Sequence, residues 1–348
     1  MKTNERLYYF DFLRILSVIA VIMLHVSVEN WSDINVRSFD WNVMNFYRSI
    51  SSFGVPVFVM ISGALFLERK NTVRKLYNKN IKRIAVSFIF WSFVYAIYNF
   101  ISFKRMDVFI NSFLSGNNHM WFLFMIVGLY MIIPLLEPIA ESTKRTRYFL
   151  LLFLVFAIAF PQIIQIMKYK FAGLAEIFQN DLSNFNIYFV LGYTGYFILG
   201  HYLNTTEISR KKRCILYSFG IVGAIATVFL TRFASYHDNK ANGDFYNVFS
   251  INVILIVVSI FVFFKNTIDQ QRLKNGFKII LITLSKCTFG AYLVHMLVLN
   301  IMVDYLKIDT ISFNPIISIP VITIVIASIS FLISYLISKI PIVNKYIV

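Results

Sequence analysis

Ten runs of roughly 18 to 24 mostly apolar residues follow one another along the chain, over residues 10–28, 44–67, 82–103, 120–137, 148–167, 185–203, 214–231, 245–264, 279–301 and 315–337. A helix rises about 1.5 Å per residue, so each run is long enough to cross the roughly 30 Å hydrocarbon layer of a bilayer. Backbone amides in hydrocarbon must be satisfied within the segment, which makes helices the natural form of such runs. The chain therefore reads as an all-α, polytopic integral membrane protein with about ten transmembrane helices. Composition closes off the soluble alternative: 58% of the 348 residues are hydrophobic and 14% charged, against about 25% charged in an ordinary soluble domain.

A formal net charge of +16 would suggest a nucleic-acid partner in a soluble chain, but in a membrane chain its distribution over the loops has to be read first. With the N-terminus placed in the cytoplasm, 22 of the 33 Lys and Arg fall on the cytoplasmic side, from Lys2 and Arg6 to Lys339 and Lys345. The positive-inside rule then puts both termini in the cytoplasm, and the surplus charge orients the protein in membrane lipid and implies no nucleic acid. The first run has a basic start like a signal peptide, yet Arg14 interrupts it and no small-x-small site follows, which predicts an uncleaved helix. Every loop is short, about 15 to 17 residues at the longest. One membrane domain over residues 1–348, with no soluble domain, is the economical expectation. Cys214 and Cys287 imply neither a disulfide nor a zinc site.

Ionisable residues inside apolar runs are expensive and mark candidate sites. His25 near the outer end of the first run, His119 at the outer start of the fourth and His295 in the outer half of the ninth share roughly one depth. His201 and His237 lie elsewhere. An imidazole has an ordinary pKa of about 6.5 and is available as a neutral base near pH 7, which suits general-base work. Glu29, one turn beyond His25 on the same helix, is placed either to orient its ring or to sit in the headgroups. The three histidines lack the close spacing of metal ligands, and no metal site is expected. Arg14 precedes His25 by eleven residues, about 16 Å along a helix and on nearly the same face. Asp11, three residues before Arg14, is its expected partner.

Several stretches resemble the bacterial membrane acyltransferase-3 family. They are Tyr9-Phe10-Asp11-Phe12-Leu13-Arg14, the ten residues from there to His25, Gly54-Val55-Pro56-Val57-Phe58 leading into Ile61-Ser62-Gly63, His119-Met120-Trp121-Phe122, and Phe289-Gly290-Ala291-Tyr292-Leu293-Val294-His295. The closing Ser338-Lys339-Ile340-Pro341 is also similar to family endings. The nearest subgroup is that of the surface-polysaccharide O-acetyltransferases. The resemblance implies a multi-pass protein of the bacterial cytoplasmic membrane that moves an acyl group, usually acetyl from acetyl-CoA, to a hydroxyl of a cell-surface glycan or its lipid-linked precursor. It implies that Arg14 and His25 are essential, that acyl-CoA is a donor substrate with no cofactor bound, and that glycan-assembly proteins are possible partners. Paired arginines are common in the family between the second and third spans; here Arg83 has Asn80 three residues before it, with Lys79 and Lys82 close by. Without the esterase-like domain that many members carry, acylation of the acceptor would be direct or through a separate protein.

On this reading Asp11, Arg14, Lys79, Lys82 and Arg83 form the donor site, because the phosphates of CoA need cations and the segment from Arg69 to Arg83 holds seven. A nucleotide near Arg14 would let the pantetheine arm carry the thioester to the histidine layer. His25 would act as general base, with His119, His295 or Arg48 stabilising the oxyanion. Arg48, Trp121 and Tyr292 are the acceptor or oxyanion candidates. Phe46, Tyr47, Phe122 and Trp121 suit sugar stacking as well as the aromatic belt of any membrane protein. Ser27, Ser49, Ser51 and Ser52 offer a weaker, covalent route. Pro56 and Pro134 are expected to kink their helices. A transporter or flippase for a lipid-linked glycan is the competing class, although neither inverted repeats nor a mid-membrane carboxylate supports it.

Overall fold

A computed structural model describes residues 6–185, 187–269, 271–344 and 346. Lys2 and Lys345, counted above on the cytoplasmic side, lie outside the described residues. Among the described residues the α-helices are, in chain order, α1 (Tyr8–Val28), α2 (Phe39–Ser51), α3 (Gly54–Phe66), α4 (Val73–Lys75), α5 (Lys82–Phe103), α6 (Met106–Ser115), α7 (Trp121–Ala140), α8 (Thr143–Leu152), α9 (Phe160–Met167), α10 (Ala172–Asn184), α11 (Tyr188–Thr205), α12 (Arg210–Asp238), α13 (Ile251–Thr267), α14 (Asn275–Asp304), α15 (Pro315–Ser338) and α16 (Pro341–Asn344). Among the described residues, nine stretches are long and apolar enough to cross a membrane, so the protein is an all-α polytopic membrane protein. The region read as the sixth span is α11, which is not among the nine. Its tyrosines, glycines, His201 and Asn204 lower its hydropathy, and Gly192 leaves helical geometry with φ −54° and ψ −122°.

Two of the predicted runs are built differently from a plain helix. Residues 44–67 are not one helix kinked at Pro56: the chain breaks at Ser52-Phe53, and Pro56 falls in the first turn of α3, where a missing N–H leaves no hydrogen bond unmade. Residues 148–167 contain a π-helical segment, Phe153–Ala159, between α8 and α9. The connections after α5 and after α9 also hold helices, α6 and α10, each too short to cross a membrane alone.

α1 is the central helix, packed on α14, α3, α2 and α15. Its Leu13, Val18 and Ile22 are fully buried within one continuous apolar core. Lipid tails are as apolar as leucine, so helices gain little by merely hiding hydrophobic surface in a bilayer and pack instead through close backbone approach and polar contacts. α3 and α11 show the first device: a Cβ on Gly63 would sit 1.8 Å from the Phe197 carbonyl oxygen, and one on Gly200 2.0 Å from that of Met60. A buried amide network shows the second. Gln162 donates to Asn252 at 3.0 Å, and Asn252 donates to Thr227 Oγ1 and the Phe245 carbonyl, each at 2.8 Å, tying α9, α12 and α13 to the turn Asp244–Tyr246. Outward-facing Ile221, Val222, Ile225, Phe229 and Phe233 of α12 are exposed, as a lipid-facing stripe requires.

Candidate active site

The three histidines singled out by depth come together. His295 is the middle member, with ring centroids 5.1 Å from His25 and 5.0 Å from His119, both edge-on. Each ring is fixed through a backbone carbonyl. His25 Nδ1 lies 3.0 Å from the Val21 carbonyl one turn back on α1; a carbonyl only accepts, so this nitrogen carries the proton and Nε2 is left with a free lone pair. Glu29 does not orient this ring. Burial, followed by the charges of Asp304, Asp309 and Asp33, raises the Glu29 carboxyl above its ordinary range, and the local helical carbonyl takes the imidazole N–H instead. His295 Nδ1 is 2.5 Å from the Tyr292 carbonyl, and its Nε2 is buried with no hydrogen-bond partner.

His119 is more fully engaged: Nδ1 is 2.9 Å from Asn117 Oδ1 and Nε2 3.3 Å from the Leu293 carbonyl. It sits on the single 3-10 turn Asn118–Met120 that opens α7, a mobile kind of element unless anchored. The anchors come from α14 and α5. The Tyr292 hydroxyl donates to the His119 carbonyl, and Tyr95 donates to the Leu293 carbonyl at 2.8 Å while accepting from Leu297 N–H at 3.0 Å. Tyr292 thus braces the histidines with a hydroxyl already committed to backbone. Tyr95 and Asn117 went unnoticed in the sequence, because a tyrosine and an asparagine in or beside apolar runs carry no spacing signal.

At the other end of α1, Asp11 is buried and holds Arg6 by two hydrogen bonds, 2.8 Å from Nε and 2.7 Å from Nη2. Arg14 is only a secondary partner at 3.7 Å. The expected Asp11–Arg14 ion pair is present, but Asp11 is shared with Arg6, whose planar fork makes the two hydrogen bonds while Arg14 makes the longer contact. The Arg83 guanidinium lies 5.2 Å from the Phe289 ring centroid, and Tyr130 is near enough to act electrostatically on both Arg14 and Arg83. Tyr130 is a second residue that sequence reasoning missed. Lys79 and Lys82 are exposed, and their segment is docked by Asn71, whose backbone N–H donates to Glu137 at 3.1 Å. The cations between Arg69 and Arg83 are thus divided: Arg83 joins Arg14, and the two lysines face outward.

The remaining candidates separate. Arg48, in the last turn of α2, lies between the rings of Trp31 and Tyr246 at 4.1 and 4.2 Å and close enough to His25 to act on it electrostatically. Trp121 is 46% exposed and leans on Tyr193, 5.7 Å between centroids, away from the histidines. His201 and His237 are at other places in the fold, and His237 pairs with Asp238 at 3.0 Å. Among the described residues, no group of three or more His, Cys, Asp or Glu is placed to hold a metal ion.

The sequence profile described as an acyltransferase domain, that of the acyltransferase-3 family, matches residues 7–338, from the first turn of α1 to the end of α15. Curated proteins and solved structures give no match. With the family pattern covering nearly the whole chain, the protein belongs to the acyltransferase-3 family and is a multi-pass membrane acyltransferase.

Proposed function

We propose that the protein transfers acetyl from acetyl-CoA to a hydroxyl of a cell-surface polysaccharide, or of its lipid-linked precursor, at the cytoplasmic membrane of a bacterium. One observation carries the reading: His25 presents a free Nε2 on the same helix as Arg14, eleven residues and about 16 Å apart. The phosphates of CoA would lie against Arg14 and Arg83, with Lys79 and Lys82 at the entrance. The pantetheine arm would run along α1 and bring the thioester carbonyl to His25. There the acceptor hydroxyl gives its proton to Nε2 as its oxygen attacks the carbonyl carbon. The tetrahedral intermediate collapses with breakage of the C–S bond, and the imidazolium returns the proton to the departing CoA sulfur. No covalent acyl-enzyme is needed, so neither Ser27 nor Ser49 requires activation; Ser27 Oγ donates to the Leu24 carbonyl at 2.8 Å and Ser49 Oγ to that of Asn45 at 2.7 Å.

The test is acetyl-CoA consumption and glycan acetylation by membranes carrying wild-type protein or His25→Ala. Loss of acetylation with glycan export intact is the expected result. Loss of export with acetyl-CoA turnover unchanged would instead identify a carrier.

A further inference from the structure

The acyl-transfer steps leave the charge of Arg48, in the last turn of α2, unused. Its head fills the angle between Trp31 and Tyr246, 4.1 and 4.2 Å from ring centroids that are themselves 5.8 Å apart and tilted at 60°, so the two rings cover two sides of the cation and leave its N–H groups to other partners. Those N–H groups meet no protein acceptor: Nε is buried without a hydrogen-bond partner, and among the described residues no carboxylate lies within salt-bridge distance of Arg48. The residue is partly exposed, so its head is reachable. Leaving a guanidinium donor buried without an acceptor is costly, and the two rings attract the cation but accept none of its N–H groups.

The cage is built with care. Trp31 stacks on Trp41 at 5.7 Å, and Trp41 Nε1–H donates to the Trp31 carbonyl at 3.1 Å. The Tyr246 hydroxyl hydrogen-bonds Asn45, whose amide donates to the Val228 carbonyl at 3.0 Å. The turn bearing Tyr246 is in turn anchored by Asn252. Gly243 borders the guanidinium: a Cβ there would lie 3.5 Å from Nη2, in ordinary van der Waals contact. Trp31 follows His25 by six residues, which sets the cage beside the base.

We propose that Arg48 in this aromatic clamp binds an anionic group of the acceptor, a phosphate or a carboxylate, next to the hydroxyl presented to His25. The acceptor is then a charged glycan, such as one with phosphodiester or uronic acid units, and not a neutral one. The site itself follows from the unmet donors of Arg48; only the naming of the acceptor as the bearer of the anion rests on the acyl-transfer reading.

The experiment uses purified protein in nanodiscs of neutral lipid, with tryptophan fluorescence followed during titration with glycerol 1-phosphate, glucuronate, glycerol and glucose. Saturable quenching by either anion, absent with its neutral counterpart and weakened by salt, is the expected result, and it needs no variant. Arg48→Gln should lower anion affinity about ten- to a hundredfold, in line with the loss of charge-assisted hydrogen bonds, and Arg48→Lys should retain part of it. Equal response to charged and neutral probes, or undiminished anion binding by folded Arg48→Gln, would overturn the proposal. So would a response only to phosphatidylglycerol added to the nanodisc, which would make Arg48 a lipid anchor. Acetyl transfer measured on the same samples separates the two readings: binding without transfer sinks the enzymatic proposal alone, and transfer without anion selectivity sinks this one alone.

Discussion

At His25 the chemistry turns on which ring nitrogen is already in use. The Val21 carbonyl takes the Nδ1 proton, so only Nε2 can accept one, and His25→Ala should lower acetyl transfer by about 10²- to 10⁴-fold, the usual worth of a general base, with acetyl-CoA affinity unchanged by equilibrium dialysis. Arg14→Ala should show the reverse, weakened acetyl-CoA binding as the primary defect; normal binding would remove Arg14 from the donor site. Glu29 gives a pH signature. Its carboxyl is raised by burial and the neighbouring carboxylates, so the folded state holds its proton more tightly than the unfolded chain does. Stability is greatest below the ordinary carboxylate range and is lost as pH rises through the raised value. Glu29→Gln should flatten that part of the thermal-stability profile, and an unchanged profile would contradict the assignment. The depth of the three histidines was legible from counting along the apolar runs. Their bracing was not, because Tyr95, Asn117 and the Tyr292 hydroxyl act through backbone carbonyls of distant helices, and such partners have no sequence pattern. The preference of Asp11 for Arg6 over Arg14 was hidden for a related reason, since spacing on a helix says nothing of a residue before its start.

Helices were read well where length and hydropathy decide, and poorly where packing does. The break between α2 and α3 is invisible in the continuous run 44–67, and the predicted kink at Pro56 proved to be a helix start. α6 and α10 escaped notice because a helix of 10 or 13 residues is too short to be a span. The seam between α3 and α11 likewise comes from structure. Gly200→Ala forces a methyl group to within 2.0 Å of a backbone oxygen, and should destabilise the protein by about 3 kcal/mol or more, the upper range of overpacking. In contrast, a Cβ at Gly128 of α7 meets nothing within 4 Å, and Gly128→Ala should be neutral or stabilising by up to about 1 kcal/mol through helix propensity. Unfolding temperatures in one detergent check both, and equal effects of the two substitutions would contradict the close α3–α11 contact.

For the whole molecule the arginines the account uses fall into two places: Arg14 and Arg83 both lie near Tyr130, and Arg48 stands apart against Trp31 and Tyr246. Orientation is testable through the two cysteines. Cys214 is exposed near the start of α12 and Cys287 is buried, so a membrane-impermeant maleimide should label Cys214 only after cells are permeabilised; labelling in intact cells would reverse the orientation. The central claim is that α1 links a donor on one side of the membrane to an acceptor on the other. The most direct measurement is sided: proteoliposomes with radiolabelled acetyl-CoA confined to the side exposing Arg14 and charged envelope glycan on the side nearer His25. The account predicts label on the glycan with wild-type protein and at least about a hundredfold slower labelling with His25→Ala. Label transfer that requires both substrates on one side, or that is undiminished in His25→Ala, would contradict it.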